Sequence, residues 1–277
     1  MSSIRRKLSD KDNPNGSKNT RMDVAGPQAS WKPDELGHIS RYCKIADLII
    51  EEAKRLERPV HCLEAGCGNI WVLRHIYKSI VIRKADVVAS YLGVDIDPAV
   101  LDEYPGWPDY PSVNDSAWLK TFNGRVQIQD LTMCPKFSVE EGTIDVFWTT
   151  EVIEHMEPKF VEPWLADAAR CLRPGGLAYI STPNHDGSNA KLPADHVYEW
   201  GHEELRALLT KYFVIEQVHG VFTQMRHFER SQRLHTRWPD HVITDIKQRF
   251  SPEWQRVILA TAYPEVANNA AFVLRKV

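Results

Sequence analysis

An α/β fold is what this sequence predicts: a seven-stranded, mostly parallel sheet with helices on both faces, plus a helical insertion between the last two strands. Three observations carry that reading. Short apolar runs alternate with helical stretches along much of the chain. Successive runs end in an acid: Val60 to Leu63 leads into Glu64, Tyr91-Leu-Gly-Val into Asp95, and Val126-Gln-Ile-Gln into Asp130. Two glycines at alternate positions, Gly66 and Gly68, follow the first run, and a helical pattern begins near Ile70. That is the pattern of strand, tight turn and helix start, where the chain turns sharply and a ligand can approach bare backbone.

Taken in order, residues 1–30 are rich in Ser, Asn, Asp, Lys and Gly. Such a segment buries too little apolar surface to offset the entropy of ordering, so a flexible arm is expected. Residues 31–277 are expected to form one domain. A helix is expected over 34–57, because Ile39, Tyr42, Ala46, Ile49 and Ala53 recur at helical spacing and Pro33-Asp34 suits a helix start. The span from Gly68 to Asp95 exceeds one helix and one turn, so extra structure is expected between Ile82 and Ser90. After the second strand, Asp97-Pro98 reads as an N-cap followed by proline. Residues 104–118, with their prolines and tryptophans, read as an irregular insertion over the sheet's carboxyl edge. A fourth strand runs from Ile144 to Trp148, and an amphipathic helix covers 159–172. Leu172-Arg-Pro-Gly-Gly176 then turns into a fifth strand, Leu177 to Ser181. A helix from Gly201 to about Leu209 and strands Phe213–Val221 and Ala270–Arg275 complete the sheet. The long connection between those last strands predicts a helical cap at about 222–268. Its Arg226, Arg230, Arg233 and Arg237 are read as a solvated face or as a surface for an anionic substrate.

Composition narrows the function classes. With 277 residues, 43% hydrophobic and 26% charged, the chain suits one large α/β domain. A formal net charge of −3 argues against broad electrostatic binding to nucleic acid or to a membrane surface. No apolar run is long enough to span a bilayer, and the charged N-terminus lacks a secretory h-region. The five cysteines show no metal-type spacing and read as reduced thiols, so a cytoplasmic protein is expected. The oligomeric state stays open.

With the glycine loop and the strand-end acids in place, the chain resembles a class I S-adenosylmethionine (SAM)-dependent methyltransferase over roughly residues 36–220, a Rossmann-like fold. The resemblance implies SAM as cofactor and assigns roles by position. Gly66 and Gly68 let the backbone approach the methionine part, and Glu64 orders that loop. Asp95 meets the ribose hydroxyls, and Ile96 packs on the adenine. Asp130 and the backbone of Leu131 meet the adenine amine. Thr149 and Thr150 lie beside the reacting methyl. The loop departs from the family at Ile70, where a third glycine is usual.

A second constellation follows the fourth strand: Glu151-Val-Ile-Glu154-His155, with His196 downstream. A helix starting near Glu151 would put Glu151, Glu154 and His155 on one face. Two carboxylates and imidazoles there suit Mg²⁺ or Mn²⁺. The pattern is similar to that of ubiquinone-pathway O-methyltransferases and of metal-dependent small-RNA 3′-end 2′-O-methyltransferases. Two readings of the motif stand: a metal site of Glu151, Glu154, His155 and His196, or His155 as general base beside Glu154. The expected acceptor is an oxygen or nitrogen of a small molecule. The alternatives are a 2′-hydroxyl of RNA or a nucleotide, an NAD-binding oxidoreductase, and a non-catalytic SAM-binding partner. Trp71, where a dinucleotide loop carries its last glycine, counts against NAD.

Overall fold

The computed structural model describes residues 33–76, 86–98, 116–185, 192–223 and 238–277. The expected arm, nearly all of the insertion at 104–118, residues 82–85 of the segment from Ile82 to Ser90, and the basic stretch from Arg226 to Arg237 lie outside the described residues. Helix α1 (Pro33–Leu56) leads into β1 (Val60–Ala65), helical residues 71–76 (α2), β2 (Val88–Asp95), α3 (Ser116–Thr121) and β3 (Gly124–Ile128). Next come β4 (Ile144–Thr150), a 3-10 turn at Ile153–His155, α4 (Pro158–Cys171), β5 (Leu172–His185), the two-residue β6 (Trp200–Gly201) and α5 (His202–Leu209). Then follow β7 (Phe213–Phe222), α6 (Asp240–Arg249), α7 (Pro252–Ala260), a 3-10 turn at Pro264–Val266 and β8 (Asn269–Lys276).

The sheet order is β3-β2-β1-β4-β5-β8-β7, with β6 paired to β5. Strands β1 to β5 pair in parallel, and β8 runs antiparallel to both its neighbours. This is the expected mostly parallel α/β sheet. Chain order reverses at β1, which has β2 on one side and β4 on the other. Crossovers from such a point leave to opposite faces and open a crevice at the strands' carboxyl ends.

Each face buries its own core. On one, Ile45, Ala46, Ile49 and Ala53 of α1 cover Cys62, Val146, Trp148, Tyr179 and Val273. On the other, Val161, Trp164, Leu165 and Ala168 of α4 cover Leu63, Phe147, Ala178, Ile180 and Phe272. Apolar residues on both sheet faces explain the continuous apolar runs of β1 and β4. Full burial of each large side chain contributes roughly 1.5–3 kcal/mol. At the amino end of β4 the buried Asp145 accepts hydrogen bonds from Arg58, Arg173 and the His61 N–H. Arg173 also bridges to the buried Glu52 of α1.

One local expectation changes. The Pro-Gly-Gly segment lies within a continuous β5 rather than before it: Gly175 takes φ 68° and the pairing with β4 shifts register there, as in a bulge. In the connection from β7 to β8, α6 and α7 supply helical structure, and α7 packs on α1 and β7. Close packing there requires Gly220, where a Cβ would lie 2.4 Å from the Ala260 carbonyl oxygen. Among the described residues no helix is long and apolar enough to cross a membrane.

Candidate active site at the carboxyl edge of the sheet

The loop after β1 is built on left-handed backbone. Gly66 has φ 70° and Gly68 φ 46°. The two glycines do different things. A Cβ on Gly66 would sit 2.1 Å from Val152 Cγ2, whereas one on Gly68 would meet nothing within 4 Å. Gly66 is therefore a packing requirement, and Gly68 presents bare backbone to the crevice. Asp95, the last residue of β2, ties this loop down: one carboxylate oxygen accepts the Gly68 N–H (2.8 Å) and the other the Asp97 N–H (2.9 Å). Ile70 also lies in the left-handed region, at φ 57°, with its side chain fully buried. A β-branched residue there costs about 1–2 kcal/mol. Burial of its side chain offsets that by a similar amount.

Glu64 takes a different place from the one expected. Its carboxylate accepts the Tyr91 hydroxyl from β2 (2.5 Å), so it braces two strands, and Asp95 orders the loop instead. Burial pushes the Glu64 carboxyl up to about 8; the Tyr91 hydrogen bond opposes this and the nearby Asp95 charge adds to it. Asp130 follows β3, where one of its oxygens accepts both the N–H (2.8 Å) and the hydroxyl (2.6 Å) of Thr132. Leu131 is buried and Ile96 half-buried, each just past its strand end. Thr150 ends β4 in register with Ser181 of β5.

The motif after β4 is not the expected helix start. Glu151 takes φ 56°, and only a 3-10 turn follows at Ile153–His155. Glu151, Glu154 and His155 therefore do not share a helical face. The Glu151 carboxylate accepts from Arg41 of α1 (2.7 Å) and from Asn269 Nδ2 of β8 (3.0 and 2.8 Å). Among the described residues, the metal-type ligands that lie within 4.8 Å of one another are Glu154, His155 and His196, without Glu151. This corrects the four-residue metal set.

The remaining three are oriented by their neighbours. His155 Nδ1 lies 2.8 Å from the Asp195 carbonyl oxygen, which only accepts, so Nδ1 carries the hydrogen and Nε2 the lone pair. His196 Nδ1 lies 2.6 Å from Glu199 Oε1, which orients its ring in the same way. The rings pack edge to face, centroids 5.4 Å apart. Glu154 is fully buried; Oε2 accepts the Thr182 hydroxyl (3.0 Å), and Oε1 has no hydrogen-bond partner. Burial, reinforced by the Glu151 charge, raises its carboxyl well above the usual range. Burial lowers His155 below the ordinary imidazole value, so the neutral ring is the form favoured near pH 7.

Arg41, Asn269, Thr182, Tyr91 and Glu199 are the residues that sequence reasoning missed here. Only Arg41 carried a signal: it sits one turn before Ile45 and two before Ile49, a charged residue on the apolar stripe of α1.

A family model described as a methyltransferase domain matches residues 37–233. The chain belongs to that methyltransferase family. A Mycolicibacterium smegmatis protein named as a probable S-adenosylmethionine-dependent methyltransferase is 30% identical over 167 residues, which is 58% of this chain and 54% of that protein. The match thus spans about half the length of this curated relative. Among solved structures, magnesium protoporphyrin IX methyltransferase from Synechocystis PCC 6803, with bound SAM, matches at TM-score 0.53 and 11% identity, over 91% of this chain and 87% of that one. Geranyl diphosphate C-methyltransferase from Streptomyces coelicolor A3(2) matches at TM-score 0.52 and 12% identity, over 93% and 88%. The cyclase SpnF matches at TM-score 0.52 and 16% identity, over 91% and 84%. At these identities the structures speak for the fold alone. The family is that of class I SAM-dependent methyltransferases, so SAM rather than NAD is the cofactor of this methyltransferase domain. The open approach to Gly68 and the strand-end Asp95 fit a ligand of that kind.

Proposed function

We propose that this methyltransferase domain moves the methyl group of SAM to an oxygen or nitrogen of a small-molecule acceptor, with His155 taking the acceptor's proton. SAM, when bound, supplies a methyl carbon already activated by its sulfonium. The chain's own work is then to align the nucleophile and to accept a proton. Gly66 and Gly68 admit the methionine part. Asp95, at the end of β2, accepts the ribose hydroxyls. Asp130 and Leu131 meet the adenine, with Ile96 against its face. Thr150 lies beside the methyl group. The observation that carries this reading is that the glycine loop, Asp95 and a His155 ring locked by Asp195 share one edge of the sheet.

One observation favours a second reading of the same site. Both imidazoles donate Nδ1–H away from the cluster, and Glu154 keeps one oxygen without a partner. Three such groups support a divalent cation held by Glu154, His155 and His196. Two nitrogen donors suit Mn²⁺ better than Mg²⁺. A cation there would lower the pKa of an acceptor hydroxyl, including the 2′-hydroxyl of an RNA or nucleotide.

Two measurements separate these readings. His155→Ala should cut turnover by about 10²–10⁴-fold while leaving SAM affinity nearly unchanged. Under the metal reading, EDTA reproduces that loss in the wild type, and Mn²⁺ restores it. Wild-type turnover in EDTA removes the cation. Wild-type turnover of the His155 variant as well removes the proton-acceptor role and points to an acceptor that arrives already nucleophilic.

A further inference from the structure

The first acid of the motif is left over from both readings. Glu151 sits at the end of β4, three residues before Glu154, yet it faces a different set of partners. Its backbone N–H donates to the Ser181 carbonyl of β5 (3.0 Å), and its carboxylate reaches Asn269 on β8. In the sheet order, β5 and β8 lie on the side of β4 away from β1 and its glycine loop. Glu151 therefore marks the part of the sheet's carboxyl edge that lies beyond the cofactor loop.

The carboxylate is anchored from behind. Arg41 and Asn269 are 2% and 1% exposed, and the Arg41 guanidinium also bonds His38 Nδ1. Glu151 itself keeps 14% of its side chain exposed. Oε1 accepts from both Arg41 and Asn269, while Oε2 accepts from Asn269 alone. Tyr42 stacks beside the Arg41 guanidinium, and Phe222 packs edge-on against His38. The result is a fixed acceptor oxygen whose negative charge is already balanced by Arg41, with the aromatic rings packed on Arg41 and His38 behind it.

We propose that Glu151, held by Arg41 and Asn269, is the specificity-determining residue for the acceptor, and that it takes a hydrogen-bond donor, a hydroxyl, from an acceptor lying over β5 and β8. This rests on the methyltransferase reading above for the identity of the second ligand as acceptor. A carboxylate oxygen only accepts, so the site selects for a donor. Arg41 cancels the charge, so selection comes from the hydrogen bond rather than from net attraction of cations. A site built to pair a hydroxyl rejects an isostere lacking it far more strongly than an apolar pocket rejects a methylene.

The test uses phenol, its donorless ether anisole, and benzylamine as probes. Each is titrated by ligand-observed NMR against the full chain, free and saturated with S-adenosylhomocysteine. The expected result is that phenol binds at least ten-fold more tightly than anisole and more tightly than benzylamine. Glu151→Ala should erase the preference. Glu151→Gln, which keeps the volume but turns an N–H₂ toward the site or toward Arg41, should reduce it. S-adenosylhomocysteine affinity, measured by calorimetry, should stay within about two-fold in both variants. Equal binding of phenol and anisole to the wild type, or of neither, overturns the proposal, as does a preference that survives in both variants. A benzylamine preference overturns the hydroxyl assignment. Because the probes are also run on the free chain, failure of S-adenosylhomocysteine to bind would strike the cofactor reading and leave this result to stand or fall separately.

Discussion

Substituting alanine at Gly66 and at Gly68 should damage the protein in two different ways. Both residues occupy left-handed backbone, at φ 70° and 46°, so each alanine costs about 1–2 kcal/mol in backbone strain. At Gly68 that is the whole stability cost, because no atom lies within 4 Å of the new Cβ. At Gly66 the Cβ would be 2.1 Å from Val152 Cγ2, and relieving that overlap costs a further ~1–3 kcal/mol. Gly66→Ala should therefore lose about 2–5 kcal/mol, which at roughly 2 °C per kcal/mol lowers Tm by about 4–10 °C. Gly68→Ala should lose no more than about 2 kcal/mol, yet its methyl stands where backbone meets ligand, so S-adenosylhomocysteine binding should weaken at least ~10-fold, the equivalent of 1.4 kcal/mol. Urea denaturation and calorimetry on the two variants measure these quantities. The double variant Gly66→Ala/Val152→Ala should recover the overlap part of the loss but not the strain. Equal stability of the two single variants, or a Gly68 variant that binds normally, would refute the division of labour argued here.

Asp95→Asn keeps one acceptor oxygen but cannot serve both Gly68 and Asp97, so cofactor affinity should fall by about 1.5–3 kcal/mol in calorimetry with the fold intact. The pH dependence of stability should carry the mark of Glu64. Its carboxyl is raised from 4.5 to about 8 in the folded chain, so its contribution is fully present below the unfolded value and is lost as pH rises through that window. The shift corresponds to up to ~5 kcal/mol at 1.36 kcal/mol per unit. Urea titrations of the cofactor-free protein between pH 5 and 8, approximate limits of that window, should fall less steeply in Glu64→Gln; identical slopes would show that Glu64 is not the group responsible. Asp145→Ala, at the amino end of β4, removes the carboxylate shared by Arg58, Arg173 and the His61 N–H and should cost ~1.5–3 kcal/mol of stability, because Arg58 is half exposed and Arg173 keeps its bridge to Glu52. Cofactor affinity should not change, because the site lies at the other end of the strand.

The succession of strands along the chain and the acids that end them were legible in the sequence because both are local facts. An apolar run, an acid and a glycine pair are set by neighbours a few residues apart. The run from Val60 through Gly68 reads the same before and after folding. The Glu-x-x-Glu-His spacing was equally plain, and His155 and His196 do meet across forty residues of chain. The direction of each acid was another matter. Glu64 and Asp95 divide their work according to Tyr91, which stands across from Glu64's strand, and nothing near Glu64 in sequence records that hydroxyl. The metal reading of Glu151 depends on a helix that begins there. A left-handed residue and a 3-10 turn instead send its carboxylate to Arg41, 110 residues earlier, and to Asn269, 118 residues later. Local pattern determined which residues reach the edge of the sheet. Only the packing of α1 and β8 around that edge decided where their charges point, because a buried carboxylate turns toward whichever distant donors the fold brings within hydrogen-bond reach.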